Sequence, residues 1–406
     1  MKIDTACCSV PDSHAAGSGI AREIMDRGHV TAPTTVFAFC SAATDAPAFV
    51  RGLRSVVGDT VPIVGGSAIG IITNTHLTYE KCCAGALFIE EQTPRFRIAA
   101  VGGLDHDETA AGRELARRLV PAGDEQLLFV FWDSIRKPAA NRLPPVLNAS
   151  APLLKGISDV VGSAVPVFGA GLLADHHFGP TVQFTGRGIE RQYAVGVLFR
   201  GPETPFFRIT HGCTPLDGVY HRITRMRGEV IHEIDAKPAA TVIDALYGGR
   251  HWRTQSPVSL LAIGVNQSKK YGPTDEKSFV IRLITGVLPG DAIGLFEPDL
   301  NSGDEFLFML RDSQKMIASA RRNAEDLMRD IERRGRRPLL GVYIDCAGRT
   351  AGYAGMLQEE AAEIQRVFNH HSCPLFGFFT GVEVAPFGSC SRGLDWSGVL
   401  ICFTGE

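Results

Sequence analysis

Short runs of consecutive apolar residues alternate along this chain with stretches whose apolar positions recur every three to four residues. Three runs, 35–40, 127–131 and 339–344, read as buried strands. A helical pattern follows each: Phe49, Leu53 and Val56, then Leu147, Ala151 and Leu154, then Leu357, Ala361 and Ile364. The i, i+4, i+7 spacing predicts one buried face per helix. After each helix stands proline, two apolar residues and glycine: Pro62-Ile63-Val64-Gly65, Pro166-Val167-Phe168-Gly169 and Pro374-Leu375-Phe376-Gly377. Proline suits the first position of a strand, where its missing N–H costs little. The glycine is expected at the strand's end, for a sharp turn or a close approach to ligand. Apolar return strands are predicted at 84–89, 194–199 and 398–403.

Two copies extend further. Thr-Pro-x-Phe-Arg-Ile recurs after 111 residues, from Pro94 to Pro205. Each Thr-Pro reads as a hairpin turn between two strands. Residues 312–334 read as one amphipathic helix with Met316, Ala320, Ala324, Leu327 and Ile331 on its core face. Alternation over 219–234 predicts a hairpin turning at Arg227-Gly228-Glu229. The fold class is α/β to α+β, with repeated strand-helix-strand-hairpin modules forming mixed sheets in two domains. The domains are placed at 32–215 and 216–406, after an N-terminal extension, 1–31, of strand and helix.

Composition narrows the function. A chain of 406 residues is long for one hydrophobic core. With 45% hydrophobic and 21% charged residues it is globular rather than disordered. The net charge is −3, and the one basic run, 333–337, ends a predicted helix, where the dipole favours it. Nucleic acid and anionic membranes are therefore disfavoured as partners. The apolar runs 126–131 and 258–265 are too short to span a bilayer. Residues 1–22 lack a basic start followed by a long apolar core, so no secretory leader is expected. The ten cysteines include the pairs Cys7/Cys8 and Cys82/Cys83 but no Cys-x-x-Cys. They read as reduced core thiols of a cytoplasmic protein, with no metal site.

Several motifs, in this order, resemble the FIST family of FIST N and FIST C domains. They are Val61-Pro62-Ile63-Val64-Gly65-Gly66-Ser67-Ala68-Ile69-Gly70, Val167-Phe168-Gly169-Ala170-Gly171-Leu172-Leu173-Ala174-Asp175 and His211-Gly212-Cys213-Thr214-Pro215-Leu216. Further along come Ile234-Asp235-Ala236-Lys237-Pro238-Ala239, Asp345-Cys346-Ala347-Gly348-Arg349 and Gly377-Phe378-Phe379-Thr380-Gly381-Val382-Glu383-Val384-Ala385-Pro386. The resemblance implies a sensory ligand-binding protein rather than an enzyme. It implies a histidine kinase or cyclic-nucleotide enzyme as partner, and it includes relatives that bind haem and respond to nitric oxide. The chain departs from the family pattern at Gly381-Val382, where an aromatic residue and glycine are expected, and at His176-His177.

The candidate ligand site is Arg349, Glu383, Cys346 and Thr380. Asp345-Cys346-Ala347-Gly348-Arg349 follows a buried strand, and functional loops gather at such strand ends. Arg349 could hold a carboxylate or phosphate through a bidentate pair, or it could bridge Asp345 or Glu383 internally. The enzyme alternative has Cys346 or Glu383 catalytic in the same cleft, Cys346 as nucleophile with His370 or His371 as base; a protein-interaction scaffold is another. Haem needs an axial ligand and apolar walls. The candidates are His221, His232, His211, His176 and His177, and on the 219–234 hairpin both His221 and His232 are expected to point inward. Any haem b would be non-covalent, because no Cys-x-x-Cys-His occurs.

Overall fold

The repeated pattern folds as three copies of one unit. The computed structural model describes residues 1–79, 81–92, 96–119, 123–138, 145–163, 165–201, 205–268, 270–272 and 275–405. The first unit comprises β1 (Lys2–Ser9), α1 (Ser13–Asp26), β2 (Thr35–Cys40), α2 (Ala46–Val57), β3 (Ile63–Ser67), β4 (Gly70–Thr73), β5 (Leu77–Thr78) and β6 (Cys83–Glu90). The second comprises β7 (Phe96–Gly102), α3 (Glu108–Leu119), β8 (Glu125–Asp133), β9 (Ile135–Lys137) and β10 (Val146–Leu147). It continues through α4 (Ser150–Val161), β11 (Val167–Leu172), β12 (Gln183–Gly186), β13 (Ile189–Glu190) and β14 (Tyr193–Arg200).

The third unit opens with β15 (Phe206–Thr210) and is interrupted by a long insertion. The insertion holds β16 (Cys213–Arg227), β17 (Val230–Ile234), β18 (Lys237–Pro238), α5 (Ala239–Tyr247), β19 (Leu261–Asn266), β20 (Phe279–Leu288), β21 (Ala292–Leu295) and β22 (Glu305–Arg311). The unit resumes with α6 (Ser313–Arg333), β23 (Arg337–Cys346), α7 (Ala351–Ala354) and α8 (Ala361–His370). It ends with β24 (Leu375–Thr380), β25 (Val382–Phe387), β26 (Cys390–Leu394) and β27 (Gly398–Gly405). Asp312 caps α6 by accepting the Lys315 N–H, and all five predicted core residues of that helix are buried.

The units exchange strands cyclically. The three six-stranded sheets run β1-β6-β2-β3-β12-β13, β7-β14-β8-β11-β25-β26 and β15-β27-β23-β24-β4-β5. The proline-led strands β3, β11 and β24 lie parallel to β2, β8 and β23 of their own units and antiparallel to a hairpin donated by another unit. The inner faces of all three sheets share one apolar core rich in phenylalanine, including Phe37, Phe39, Phe129, Phe131, Phe199, Phe376, Phe378 and Phe403. Phe39 and Phe378, from different units, stack with centroids 3.9 Å apart. The outer faces carry the helix pairs α1/α2, α3/α4 and α6/α8.

Three sequence expectations need correction. β6 pairs with β1 and β2, whereas β7 pairs with β14, so the Thr-Pro repeat does not close a hairpin. β14 and β15 likewise lie in different sheets. The chain crosses there to start the next sheet, and Thr93, Pro94, Arg95 and Thr204 themselves lie outside the described residues. The repeated arginine is an anchor: Arg97 donates to the Leu119 carbonyl at the end of α3, and Arg208 pairs with Asp330 on α6. Second, Leu147 belongs to β10 and Leu357 is fully exposed before α8, so the helices start later than the periodicity suggests. Third, the glycine of each Pro-x-x-Gly lies inside its strand. A Cβ at Gly65 or Gly169 would overlap the carbonyl oxygen of Ala38 or Val130 on the neighbouring strand. The close approach is to backbone, not to ligand.

The insertion is a closed barrel, β16-β22-β19-β20-β21-β17, with β17 returning to β16. Its interior is filled by residues such as Ile223, Ile263, Ile284, Ile293, Phe306 and Phe308. Two of its acids grip the rest of the protein. Glu297 accepts the Ser150 and Ala151 N–H groups at the start of α4, whose own N-cap, Ala149, offers no side-chain bond. Glu276 accepts from the His211 and Gly212 N–H groups, Ser319, Arg322 and Asn323. No helix among the described residues is long and apolar enough to cross a membrane.

Two helix pairs touch backbone to backbone. A Cβ at Gly52 would overlap the His14 carbonyl of α1, and one at Gly156 would overlap the Thr109 carbonyl of α3. Gly156→Ala is expected to cost about 1–3 kcal/mol by forcing α3 and α4 apart. Gly19→Ala, in α1 where an added Cβ meets nothing within 4 Å, should stabilise by up to ~1 kcal/mol. Urea denaturation of the two variants checks the opposite signs.

Candidate functional site

The second and third sheets differ at the carboxyl ends of β8 and β23. In the second unit β8 ends in Asp133, which is fully buried and fully used. It accepts the Thr181 hydroxyl at 2.6 Å, the Ile135 and Gln192 backbone N–H groups, and the Gln192 side-chain amide. The corresponding end of the third unit is left open. β23 ends in Asp345 and Cys346, with Cys346 opposite Thr380 on β24. Glu383 follows on β25, and Asp395-Trp396 precede β27.

Arg349 organises the inner part of this cluster. It is wholly buried and forks onto Glu360, with NH2 donating to both carboxylate oxygens at 2.6 and 2.5 Å. Its Nε lies 3.2 Å from Asp345 Oδ1, and NH1 donates to the His211 and Trp396 carbonyls. Tyr343 donates its hydroxyl to Glu360. Deeper charges on the insertion side are Arg282, paired with Asp299 and bonded to the Gly393 carbonyl, and Arg311. The Arg311 guanidinium lies 3.6 Å from the Trp396 ring centroid and donates to the Ser259 and Gly348 carbonyls.

Several buried acceptors remain without a donor among the described residues: Asp345 Oδ2, both oxygens of Glu383, and Asp395 Oδ1. Their titration follows. Burial first, then the neighbouring Asp345 and Asp395, push Glu383 well above the carboxylate range. Burial and then Glu360 push Asp345 up. Burial raises Asp395 to about 7 against the pull of Arg282. Burial and Glu383 also push the Cys346 thiol well up, so it stays protonated and unreactive.

A cleft opens over this cluster, between the insertion and the third sheet, with about 460 Å³ of empty volume including its mouth. Cys346, Ala347, Gly348, Thr380, Asp395 and Trp396 form its floor, and Pro257, Leu283 and Phe296 of the insertion form one wall. Leu173, His176 and Phe178 follow β11, and Tyr353 comes from α7. The rings pair across it: His176 stacks on Tyr353 at 5.3 Å, and Phe178 meets Phe296 at 6.2 Å.

Of the four candidate ligand residues, Cys346 and Thr380 line the cleft, whereas Arg349 and Glu383 are buried beside it. The internal arginine bridge expected to Asp345 or Glu383 runs to Asp345 and Glu360. Glu360, Arg311 and Asp395-Trp396 carry no local signal: Glu360 meets Arg349 and Tyr343 only in the fold, and Arg311 and Asp395-Trp396 meet across the boundary between the insertion and the third unit. His370 and His371 precede β24, at the end opposite Cys346. Five residues of strand separate them, roughly 16 Å, which removes them as a base for that thiol.

The histidines separate on their surroundings. His211 is buried with both ring nitrogens engaged, one by the Glu276 carbonyl and one by the Cys213 N–H. His221 gives Nδ1 to Asp235 at 2.7 Å and packs its ring on Phe306 and Phe308. Bulges between β16 and β17 put Ile231 in the barrel core and leave His232 half-buried, so the expected alternation does not hold there. His177 is exposed beside the Asp175 turn. His176 alone of the five borders the cleft; its side chain is exposed at the mouth, and partial desolvation there lowers its pKa.

The FIST N domain model matches residues 34–237 and the FIST C domain model residues 239–386. No curated protein matches the chain. Among solved structures, cyanuric acid hydrolase from A. caulinodans is 10% identical at a TM-score of 0.35, covering 100% of this chain and 99% of that one. A chorismatase structure is 10% identical at 0.33, with 99% of each chain covered. Likenesses this loose bear no functional argument.

Removing one partner of a buried ion pair strands the other. Arg349→Met is expected to cost about 3–5 kcal/mol in chemical denaturation, with Arg349→Met/Glu360→Met recovering much of it. Asp395 gives a pH signature. Its folded pKa, about 7, exceeds the ordinary carboxylate value, so the folded state holds the extra proton between about pH 4 and 7. Stability should fall as pH rises through that window, by on the order of 1 kcal/mol per pH unit from this group. Asp395→Asn lacks the penalty, and its stability relative to the parent should increase from pH 5 to 8.

Proposed function

The chain belongs to the FIST family, whose domains are sensory ligand-binding domains of signal transduction, and we propose that it senses a small molecule bound in the cleft between the inserted barrel and the third sheet. The observation that carries this reading is the contrast between two equivalent strand ends. Asp133 is closed off by the protein's own donors, while Asp345, Glu383 and Asp395 keep free oxygens around a cleft. Buried polar groups are ordinarily satisfied, and unsatisfied ones gathered at a pocket are a mark of a missing partner. The ligand touches both bodies at once, so binding changes the contact of the barrel with the sheet. That change is the signal passed to a histidine kinase or a cyclic-nucleotide enzyme.

A second reading is that the ligand is haem b and the signal nitric oxide, and it rests on His176. The ring borders the cleft with Leu173, Phe178, Leu283 and Phe296 as apolar walls. Bound there, haem would supply the gas-binding iron, and His176 would hold it from the protein side.

Both readings have one experiment. Haem titration of the full chain, followed by the Soret band, should saturate and be lost in His176→Ala if haem is the ligand. With no saturable haem binding, a thermal-shift screen of small metabolites should find stabilisers whose effect weakens at least about tenfold in Tyr353→Ala, at the cleft mouth. Hits indifferent to Tyr353 would remove the cleft as the sensory site.

A further inference from the structure

Resting on the reading of this cleft as a ligand site, we propose that it selects a small cationic amine, with the ammonium on Asp395 and an apolar body among Phe178, Phe296 and Tyr353. Asp395 is the one carboxylate among the lining residues, and neither lysine nor arginine is among them. It is 1% exposed, its Oδ2 accepts the Leu283 N–H at 2.8 Å, and its Oδ1 has no donor among the described residues. That oxygen is an acceptor held in place by a second bond, waiting for a donor from outside the chain.

The charges behind the floor are largely matched among themselves. The buried acids Asp345, Glu360, Glu383, Asp395 and Glu297, with Asp299, face three guanidinia, Arg282, Arg311 and Arg349. Arg349 is matched to Glu360, and Arg282 to Asp299. Glu297 is matched to the start of α4. Glu383 and Asp395 have no such match. Arg311 is bound to two carbonyls and lies flat on Trp396, outside the cleft lining. An ammonium on Asp395 supplies the partner that this carboxyl lacks and favours its ionised form. Trp396 Nε1, in the lining, is a donor without a partner among the described residues, but no lysine or arginine is there to hold an anion.

The walls suit the body of such a ligand. Phe178 and Phe296 present an edge-to-face pair, and Tyr353 stacks on His176. Aromatic faces stabilise a nearby ammonium as well as the carbon attached to it.

The test is calorimetric titration of the full chain with three probes of one shape: benzylammonium, benzyl alcohol and benzoate. Benzylammonium should bind roughly 10- to 100-fold more tightly than the other two, the range of a charged hydrogen bond gained. Asp395→Asn should erase that preference, and Tyr353→Ala should weaken whatever binds. If Asp395→Asn fails to fold by circular dichroism, the ranking on the parent chain decides. Benzoate or benzyl alcohol binding as tightly as benzylammonium, with sensitivity to Tyr353→Ala, overturns the cationic preference but leaves the cleft as a ligand site. No saturable binding by any probe, alongside thermal-shift hits indifferent to Tyr353, overturns both.

Discussion

A strand edge cannot be left bare inside a folded protein, and that constraint organises this one. β3, β11 and β24 each expose an edge that their own unit does not cover. In each case the cover is a hairpin from another unit: β12–β13, β25–β26 and β4–β5 respectively. The exchange satisfies backbone groups that would otherwise be costly to bury. It also forces the three sheets to face one another, which is what builds the shared phenylalanine core. No unit can reach its final structure alone.

Repetition gives the scaffold, and the departures from it give the site. The third unit differs from the second in two linked ways. It carries acids where the second is closed by Thr181 and Gln192, and it carries the inserted barrel whose outer face packs on Cys346 and Trp396. Tight packing elsewhere leaves little freedom, since Gly52 and Gly156 set their helices at backbone contact. The polar cluster is thus held by a rigid frame on one side and by a separate barrel on the other.

Much of the frame was legible in the chain. The first strands, the proline-led strands and the return strands all appear where consecutive apolar residues stand, and α6 follows its periodicity from cap to last turn. Periodicity reports burial along one element and is silent about which strand lies beside it. That is why the Thr-Pro repeat was read as a hairpin, although it marks a crossing between sheets. Leu357 misled because a single exposed leucine can fall in step with a helix that starts four residues later. Within the site, Cys346 and Thr380 were reachable because they end apolar strands. Asp395 and Arg311 were not, since their partners, Leu283 and Trp396, are more than 80 residues distant in the chain.

The way the insertion is fastened sets a limit on how this architecture can be taken apart. Glu297 serves as the missing cap of α4, in another unit, and Glu276 gathers donors from the 211–212 loop and α6. Excising the barrel and splicing its ends would leave a helix start bare and a group of donors empty in the remaining frame. What resembles a late addition has become a structural dependency. Lineages that shorten or exchange this segment must either carry both acids across or rebuild two sites far from the splice. The barrel is thereby free to vary on its distal surface but not at its two points of attachment.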